Sequence, residues 1–522
     1  MIIMKKIFNK TIVAAIILIG FIISCKKSDL STVNPNAQTT ETFWKTSDDA
    51  VKGINAVYGS LIIDGSYMRF SQVIENTRGD DATSNSPWDQ IYNCGKFNLA
   101  SSGFTSIIAW TAYYQGILRA NEVLKYVPSI SMDADLKNRI LGQAYFLRGL
   151  YYFHLADFYK NVPMPLSPAE SSSDYTVKQQ PQSVVWQQVI SDFKNAIPLL
   201  PLSYASLNSA DNQVGRATKG AAMGFLGKTY LFTRDYTDAA TQFKAVIDLG
   251  IYSLMPNYYD NFFLNAENNA ESIFEVQFSR DAGGTDLGWG GDPSSGWGRT
   301  SARAITFGAA SFGFGDVQPS RALYNEYMQE PTASGGVDPR LDVTMFYNKP
   351  GEMLYGQSFA TAYAGSSSLN ALWCHKYENS DIGQPNEYDW RSGINERLMR
   401  YADILLMYAE CLNEQGSTSQ AYPYIQQVRS RVSLPDLATV KPGMTQAQMR
   451  DQIAHERFLE FSLEGHRFDD ILRWGWLQDP TKLAWLQSRD PEFNTYAPGR
   501  EYLPIPLNEI QTNPGVVQNP SY

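Results

Sequence analysis

Apolar side chains recur at helical spacing in several long stretches of the chain, and these stretches come in pairs. Residues 110–127 (WTAYYQGILRANEVLKYV) are followed by 136–160 (LKNRILGQAYFLRGLYYFHLADFYK). Residues 183–200 lead to 216–234 and then to 236–250, and 397–416 run into 419–432. Each stretch predicts a helix. The pair at 216–250 has the build of one tetratricopeptide unit. Ala221, Gly224 and Gly227 thin the first helix, RDY turns the chain, and Ala239 and Ala240 let the second helix come close. Helix pairs of this kind stack side by side and share a core. The pairs here diverge in sequence and long inserts separate them, so the expectation is a mainly α-helical body with loop-rich insertions, not a plain solenoid.

Two inserts interrupt the pattern. Residues 281–315 (DAGGTDLGWGGDPSSGWGRTSARAITFGAASFGFG) are glycine-rich and aromatic, and residues 347–377 form a second irregular stretch. Glycine loses the most backbone freedom on folding, so an ordered loop of this composition needs something to hold it. Long irregular segments in a compact protein commonly carry function. Trp289 and Trp297 make the first insert the better candidate.

The amino terminus has a different character. Lys5, Lys6 and Lys10 precede an apolar run of twelve, IVAAIILIGFII (12–23). That is too short to cross a bilayer, which takes about 20 residues, and with its basic flank it reads as a secretory signal peptide. The following IISC, with Cys25 after Ser24, resembles a bacterial lipobox, in which cleavage precedes a cysteine that is then lipidated. Residues 1–24 are thus expected to be removed, and 25–40 to form a polar tether to a domain at 41–522. Acyl chains anchor by burying CH₂ groups at about 0.8 kcal/mol each.

Loss of that peptide removes three lysines and leaves 40 basic against 53 acidic residues. A chain so acidic, without a concentrated Lys/Arg stripe, is no nucleic-acid binder. Cys94, Cys374 and Cys411 have no paired spacing and read as small buried side chains.

Little catalytic chemistry stands out. AMGFLGKT (222–229) nearly matches a phosphate-binding loop, but Ala222 replaces the first glycine and the segment lies mid-helix. The four histidines, 154, 375, 455 and 466, never occur as H-x-x-x-H, so no metal site or cofactor is expected. HERFLEFSLEGHRFDDILRWG (455–475) brings His466 near Asp469 and Asp470, an arrangement open to acid–base work. Its apolar seam, Ala454, Phe458, Phe461, Gly465, Phe468 and Leu472, favours architecture instead: one packed helix, or two joined near Gly465, edged by salt bridges such as Asp469–Arg473.

That stretch resembles the C-terminal hallmark of SusD-like (RagB/SusD) proteins, with Glu456, Arg457, Glu460, Glu464, Gly465, Arg467, Asp470, Arg473 and Trp474 filling the pattern. The ending YLPIPLNEIQTNPGVVQNPSY and the blocks at 43–61, 148–166 and 397–416 are similar to further family segments. The resemblance implies four tetratricopeptide-type helix pairs, the first ones within about 41–260, and a loop-rich part at about 261–522. It also implies a lipid-anchored surface protein of the outer membrane that binds a glycan without cleaving it. The implied partner is a SusC-like, TonB-dependent transporter.

Sugars need aromatic faces for their C–H surfaces and planar polar groups for their hydroxyls. The loop at 75–93 offers Arg78, Asp81, Trp88 and Asn93, and the glycine-rich loop offers Trp289 and Trp297. The expectation is one site built by both loops, with the tryptophans as platform and Arg78 and Asp81 bonding hydroxyls. Competing readings are a surface glycoside hydrolase, a receptor for a non-glycan nutrient such as peptide, and a protein-binding scaffold.

Overall fold

The computed structural model describes residues 43–207, 213–280 and 299–522. Its principal helices are α1 (Ser47–Gly59), α2 (Phe70–Asn76), α3 (Phe104–Tyr126), α4 (Ala134–Tyr159), α5 (Gln182–Ala196) and α6 (Lys219–Phe232). Then follow α7 (Tyr236–Asp248), α8 (Tyr401–Glu414), α9 (Thr418–Arg431), α10 (Gln446–Glu460) and α11 (Arg467–Arg473). Helices α1, α3, α4, α5, α6, α7, α8 and α9 pack on one another in that order. They group as four pairs, α1/α3, α4/α5, α6/α7 and α8/α9, in a mainly helical body. Packing of α7 on α8 carries the stack across the whole 249–400 insertion.

The local chemistry explains the boundaries. Thr46, Asp133, Thr218 and Asp235 each cap a helix by accepting from the backbone N–H three residues on, as in Asp133 with Leu136 at 2.8 Å. Past Ile140, α4 is buried almost all round, as a helix at the centre of a stack must be. In α6, a Cβ on Gly227 would stand 2.5 Å from the Phe243 ring of α7, so only glycine permits that approach. The phosphate-loop lookalike is part of α6, and its Lys228 pairs with Asp469 at 2.8 Å. Cys94, Cys374 and Cys411 are free and buried.

Short antiparallel ladders stitch the inserts to the stack. Strand β1 (Ala82–Ser84) pairs with β3 (Val317–Pro319), and β2 (Ser272–Val276) pairs with β4 (Glu396–Arg400). The 347–377 insert closes over a small apolar cluster of its own, with Leu354, Phe359, Tyr363 and Trp373 around Phe312 and Phe346.

The 455–475 stretch is two helices. Leu463 (φ 60°) and Gly465 (φ 81°) turn the chain between α10 and α11, and a Cβ on Gly465 would meet Glu75 Oε2 at 2.7 Å. The turn is held by Leu463 N–H donating to Asp81 Oδ2 (2.9 Å) and Gly465 N–H donating to Asn76 Oδ1 (3.0 Å). The expected Asp469–Arg473 pair does not form. Asp469 takes Lys228, while Arg473 takes Asp470 and Glu410 (both 2.7 Å).

Nor do the charges edge the surface: Glu456, Glu460 and Glu464 lie inside. Arg340 reaches Glu456 (2.7 Å), Arg400 reaches Glu464 (2.8 Å), Arg431 reaches Glu271 (2.9 Å), and Lys376 reaches Glu464 (2.9 Å). Buried ions hold only when paired and hydrogen-bonded, and this network pairs its ions while tying four distant segments to α10 and the turn that follows it. His466 is buried too, and burial pushes its pKa down. The hallmark is architecture.

Candidate functional site

The structure separates the sequence candidates. Arg78 is 2 % exposed and Asp81 1 %. Arg78 Nη1 donates to the Glu501 carbonyl (2.8 Å), its Nε donates to the Ile74 carbonyl (3.1 Å), and its guanidinium lies over Phe468. Asp81 accepts from Leu463 N–H, and burial pushes its carboxyl up to about 6. Neither reaches a ligand at the surface: their expected hydroxyl-binding role is corrected to holding α2 and the turn before α11. Trp88 is half-buried, tilted on Phe104 (5.6 Å) and edge-on to Phe70 (5.7 Å). Asn93 is half-buried on the short helix Asp89–Gly95. Trp289, Trp297, Cys25, the signal peptide 1–24 and the tether 25–40 lie outside the described residues.

What the structure adds is an aromatic surface near the stem of the glycine-rich loop. Phe314 and Tyr388 are 44 % and 48 % exposed. Phe314 meets Trp390 edge-on at 5.4 Å and Tyr388 at 6.1 Å. Backbone and side-chain bonds fix the three rings. Glu387 N–H donates to the Phe312 carbonyl (2.7 Å), Trp390 N–H to the Glu387 carbonyl (3.0 Å), and the Tyr388 hydroxyl to the Gly313 carbonyl (3.2 Å). Trp390 sits at φ 60°, a left-handed conformation uncommon for a bulky residue. Beneath it Glu387 is buried and accepts from Asn379 N–H (2.7 Å) and the Tyr355 hydroxyl (2.8 Å). The loop that presents the rings is thus pinned from inside.

The loop at 75–93 and the stem of the glycine-rich loop both adjoin this surface. The β1–β3 ladder continues as Asn85 N–H donates to the Asp316 carbonyl (2.7 Å), which lays the segment bearing Trp88 beside the one bearing Phe314. The stem of the 281–298 loop closes with Ser279 N–H to the Arg299 carbonyl (2.6 Å) and Ser301 N–H to the Ser392 carbonyl (2.8 Å). Arg280 pairs with Asp389 at 2.8 Å, between Tyr388 and Trp390. Rigid aromatic faces beside backbone amides and paired charges suit a ligand with apolar faces and a polar rim. Sequence reading missed Tyr388 and Trp390 in NEYDWRSG. The available signal was two aromatics closely spaced in a wholly polar stretch.

Comparison with known proteins agrees along the whole body. A model described as the SusD family matches residues 270–522, and one described as "Starch-binding associating with outer membrane" matches residues 33–231. A SusD-like protein of Formosa agariphila is 25 % identical, with 92 % of each chain covered. A SusD superfamily structure from Bacteroides vulgatus superposes with a TM-score of 0.80 at 26 % identity, covering 92 % of this chain and 100 % of that one. A structure described as a laminarin binding SusD-like protein gives 0.75 at 26 % identity over the same shares. Among the described residues, no helix is long and apolar enough to cross a membrane.

Proposed function

Because the chain belongs to the SusD (RagB/SusD) family, we propose that it is a glycan receptor of the outer membrane, anchored by lipid at Cys25 and facing the cell exterior. It captures an oligosaccharide and hands it to a SusC-like, TonB-dependent transporter. The observation that carries this reading is the Phe314–Tyr388–Trp390 cluster near the stem of the glycine-rich loop, with Phe314 and Tyr388 exposed and Trp390 half-buried against them. Sugar rings stack on such faces through their C–H surfaces. To Trp88, Trp289 and Trp297 we assign further stacking contacts with the sugar, and to Asn93 a bond to its hydroxyls.

Binding without cleavage is supported by the state of the hallmark carboxylates. Glu456, Glu460 and Glu464 are each held inside by guanidinium or ammonium groups, far from the role of a solvent-facing acid pair. The test is calorimetric titration of the chain from residue 26 against a polysaccharide panel, with reducing sugar assayed in the same samples. Laminarin stands first in the panel because a neighbour at 26 % identity is described as binding it. Saturable binding with no sugar released is the expected result. Released sugar would make the protein a hydrolase. Peptide binding with silence across all glycans would make it a receptor for another nutrient.

A further inference from the structure

A second site lies in the turn that precedes the aromatic loop. His375 follows the strand Trp373–Cys374, and Asp381 sits in the turn Ser380–Ile382. The His375 Nδ1 is 2.7 Å from the Asp342 carbonyl, so Nδ1 carries the proton and donates it there, and Nε2 is the nitrogen that faces the carboxylates. That Nε2 lies 3.1 Å from Asp381 Oδ2 and 3.8 Å from Glu378 Oε1, and the three ligand atoms all fall within 4.8 Å of one another. Ligands at about 2.0–2.1 Å from a tetrahedral zinc ion stand about 3.3 Å apart. The two separations from Nε2 bracket that spacing.

Charge balance gives an independent reason for a cation here. Glu378 is buried, yet among the described residues no lysine or arginine pairs with it or with Asp381. The hallmark glutamates each meet a lysine or arginine, whereas the only cationic side chain beside Glu378 among the described residues is the His375 imidazole. His455 makes the contrast sharper. Both its nitrogens are 2.8 Å from carboxylates, Glu326 and Glu330, as in a charged ion pair with no lone pair to offer.

Each of the three side chains is also oriented from behind. Glu378 accepts from Ser380 N–H (2.9 Å) and the Ser380 hydroxyl (3.0 Å), and Asp381 accepts from the Tyr259 hydroxyl. Phe346 stacks on the imidazole at 4.0 Å. Outer contacts of this kind set ligand direction and basicity in metal sites. Asp381, 38 % exposed, leaves an entry path.

We propose that His375 Nε2, Glu378 and Asp381 bind one divalent transition-metal ion, zinc by their chemistry, with water in the fourth position. A mixed imidazole and carboxylate set suits zinc and its neighbours, whereas calcium takes all-oxygen shells of six to eight ligands. The bound ion would clamp residues 375–381, and Asn379 N–H hands that rigidity to Glu387 beneath the aromatic loop. The inference holds whatever the nutrient is.

The test is zinc competition between the untagged, EDTA-treated full chain and a chromophoric zinc chelator, with calcium as a control. One equivalent of zinc should transfer to the protein, raise its unfolding temperature, and be unmoved by millimolar calcium. His375→Gln should weaken zinc binding by at least tenfold, and Asp381→Asn, at the exposed ligand, should do so without disturbing the fold. No stoichiometric uptake by the wild-type chain would overturn the site. So would uptake left unchanged in Asp381→Asn and in any folded His375→Gln.

Discussion

Replacing Glu460 with glutamine tests whether the hallmark is held together by its buried ions. Glu460 is fully buried and accepts from Arg400 Nη1 (3.0 Å), Arg340 Nη1 (3.1 Å) and Arg431 Nη2. Burial alone would raise its pKa, but Arg431, Arg400 and Arg340 outweigh that and hold the carboxyl at about 2. Against an ordinary glutamate near 4.3, and at about 1.4 kcal/mol per unit, the ionised side chain contributes about 3 kcal/mol to folding. Breaking one partner of a buried ion pair costs about 3–5 kcal/mol, a similar figure reached independently. Glutamine keeps the size and loses the charge, so Glu460→Gln should destabilise by at least about 3 kcal/mol at pH 7. The assay is urea unfolding followed by tryptophan fluorescence and by circular dichroism, since a chain this long earns a single free energy only if the probes coincide. Lys244→Ala, which removes an exposed pair with Asp248, should change stability by no more than about 0.5 kcal/mol. The sign with pH is fixed. A depressed carboxylate stabilises fully above its unfolded value and loses the effect as pH falls through its folded value. The gap between wild type and variant should therefore narrow from about pH 4.5 toward pH 2. A gap below 1 kcal/mol at pH 7, or one that stays constant in acid, would refute the reasoning.

Three further outcomes follow from the geometry. Gly465→Ala forces a Cβ into a left-handed turn and to within 2.7 Å of Glu75, and thermal unfolding should show a loss above about 1 kcal/mol. Burial opposes charge on His455, but Glu326 and Glu330 outweigh it and raise its pKa to about 9. Its contribution is then complete below about pH 6.5 and is lost as pH rises through 9, so the melting difference between wild type and His455→Gln should vanish in that window. Arg78→Ala should destabilise the protein while leaving the glycan affinity of the folded fraction unchanged. A selective loss of affinity would return Arg78 to the ligand site.

Much of the helical stack was legible because a 3.6-residue period is a local signal, and caps such as Asp235 stand next to the helix they begin. The hallmark shows where that signal ends. Its acids were expected to pair along their own helix, yet Arg340 and Arg400 come to Glu460 from 120 and 60 residues away. Burial turned a presumed salt-bridged edge into an interior network. Asp81 failed for the same reason: a loop aspartate looks solvent-bound until Leu463, 382 residues later, is found donating to it. The loop bearing Trp88 and the glycine-rich insert were singled out in the sequence, and the first of them and the stem of the second adjoin the candidate surface; their part in binding is proposed. Phe314, Tyr388 and Trp390 came together only through the Glu387–Phe312 backbone bond, which no linear pattern records.

The most direct test of the glycan-receptor assignment is calorimetric affinity for the polysaccharide found in the panel, compared among wild type, Tyr388→Ala, Trp390→Ala and Trp485→Ala. Trp485 is exposed like Tyr388 but belongs to the helix Pro480–Arg489, where its ring packs on Trp476 and Arg489. Loss of affinity by about tenfold or more, roughly 1.4 kcal/mol, in Tyr388→Ala and Trp390→Ala, with Trp485→Ala unchanged, is the predicted result. Unchanged affinity in both loop variants, or equal losses in all three, would contradict a glycan platform at Phe314, Tyr388 and Trp390.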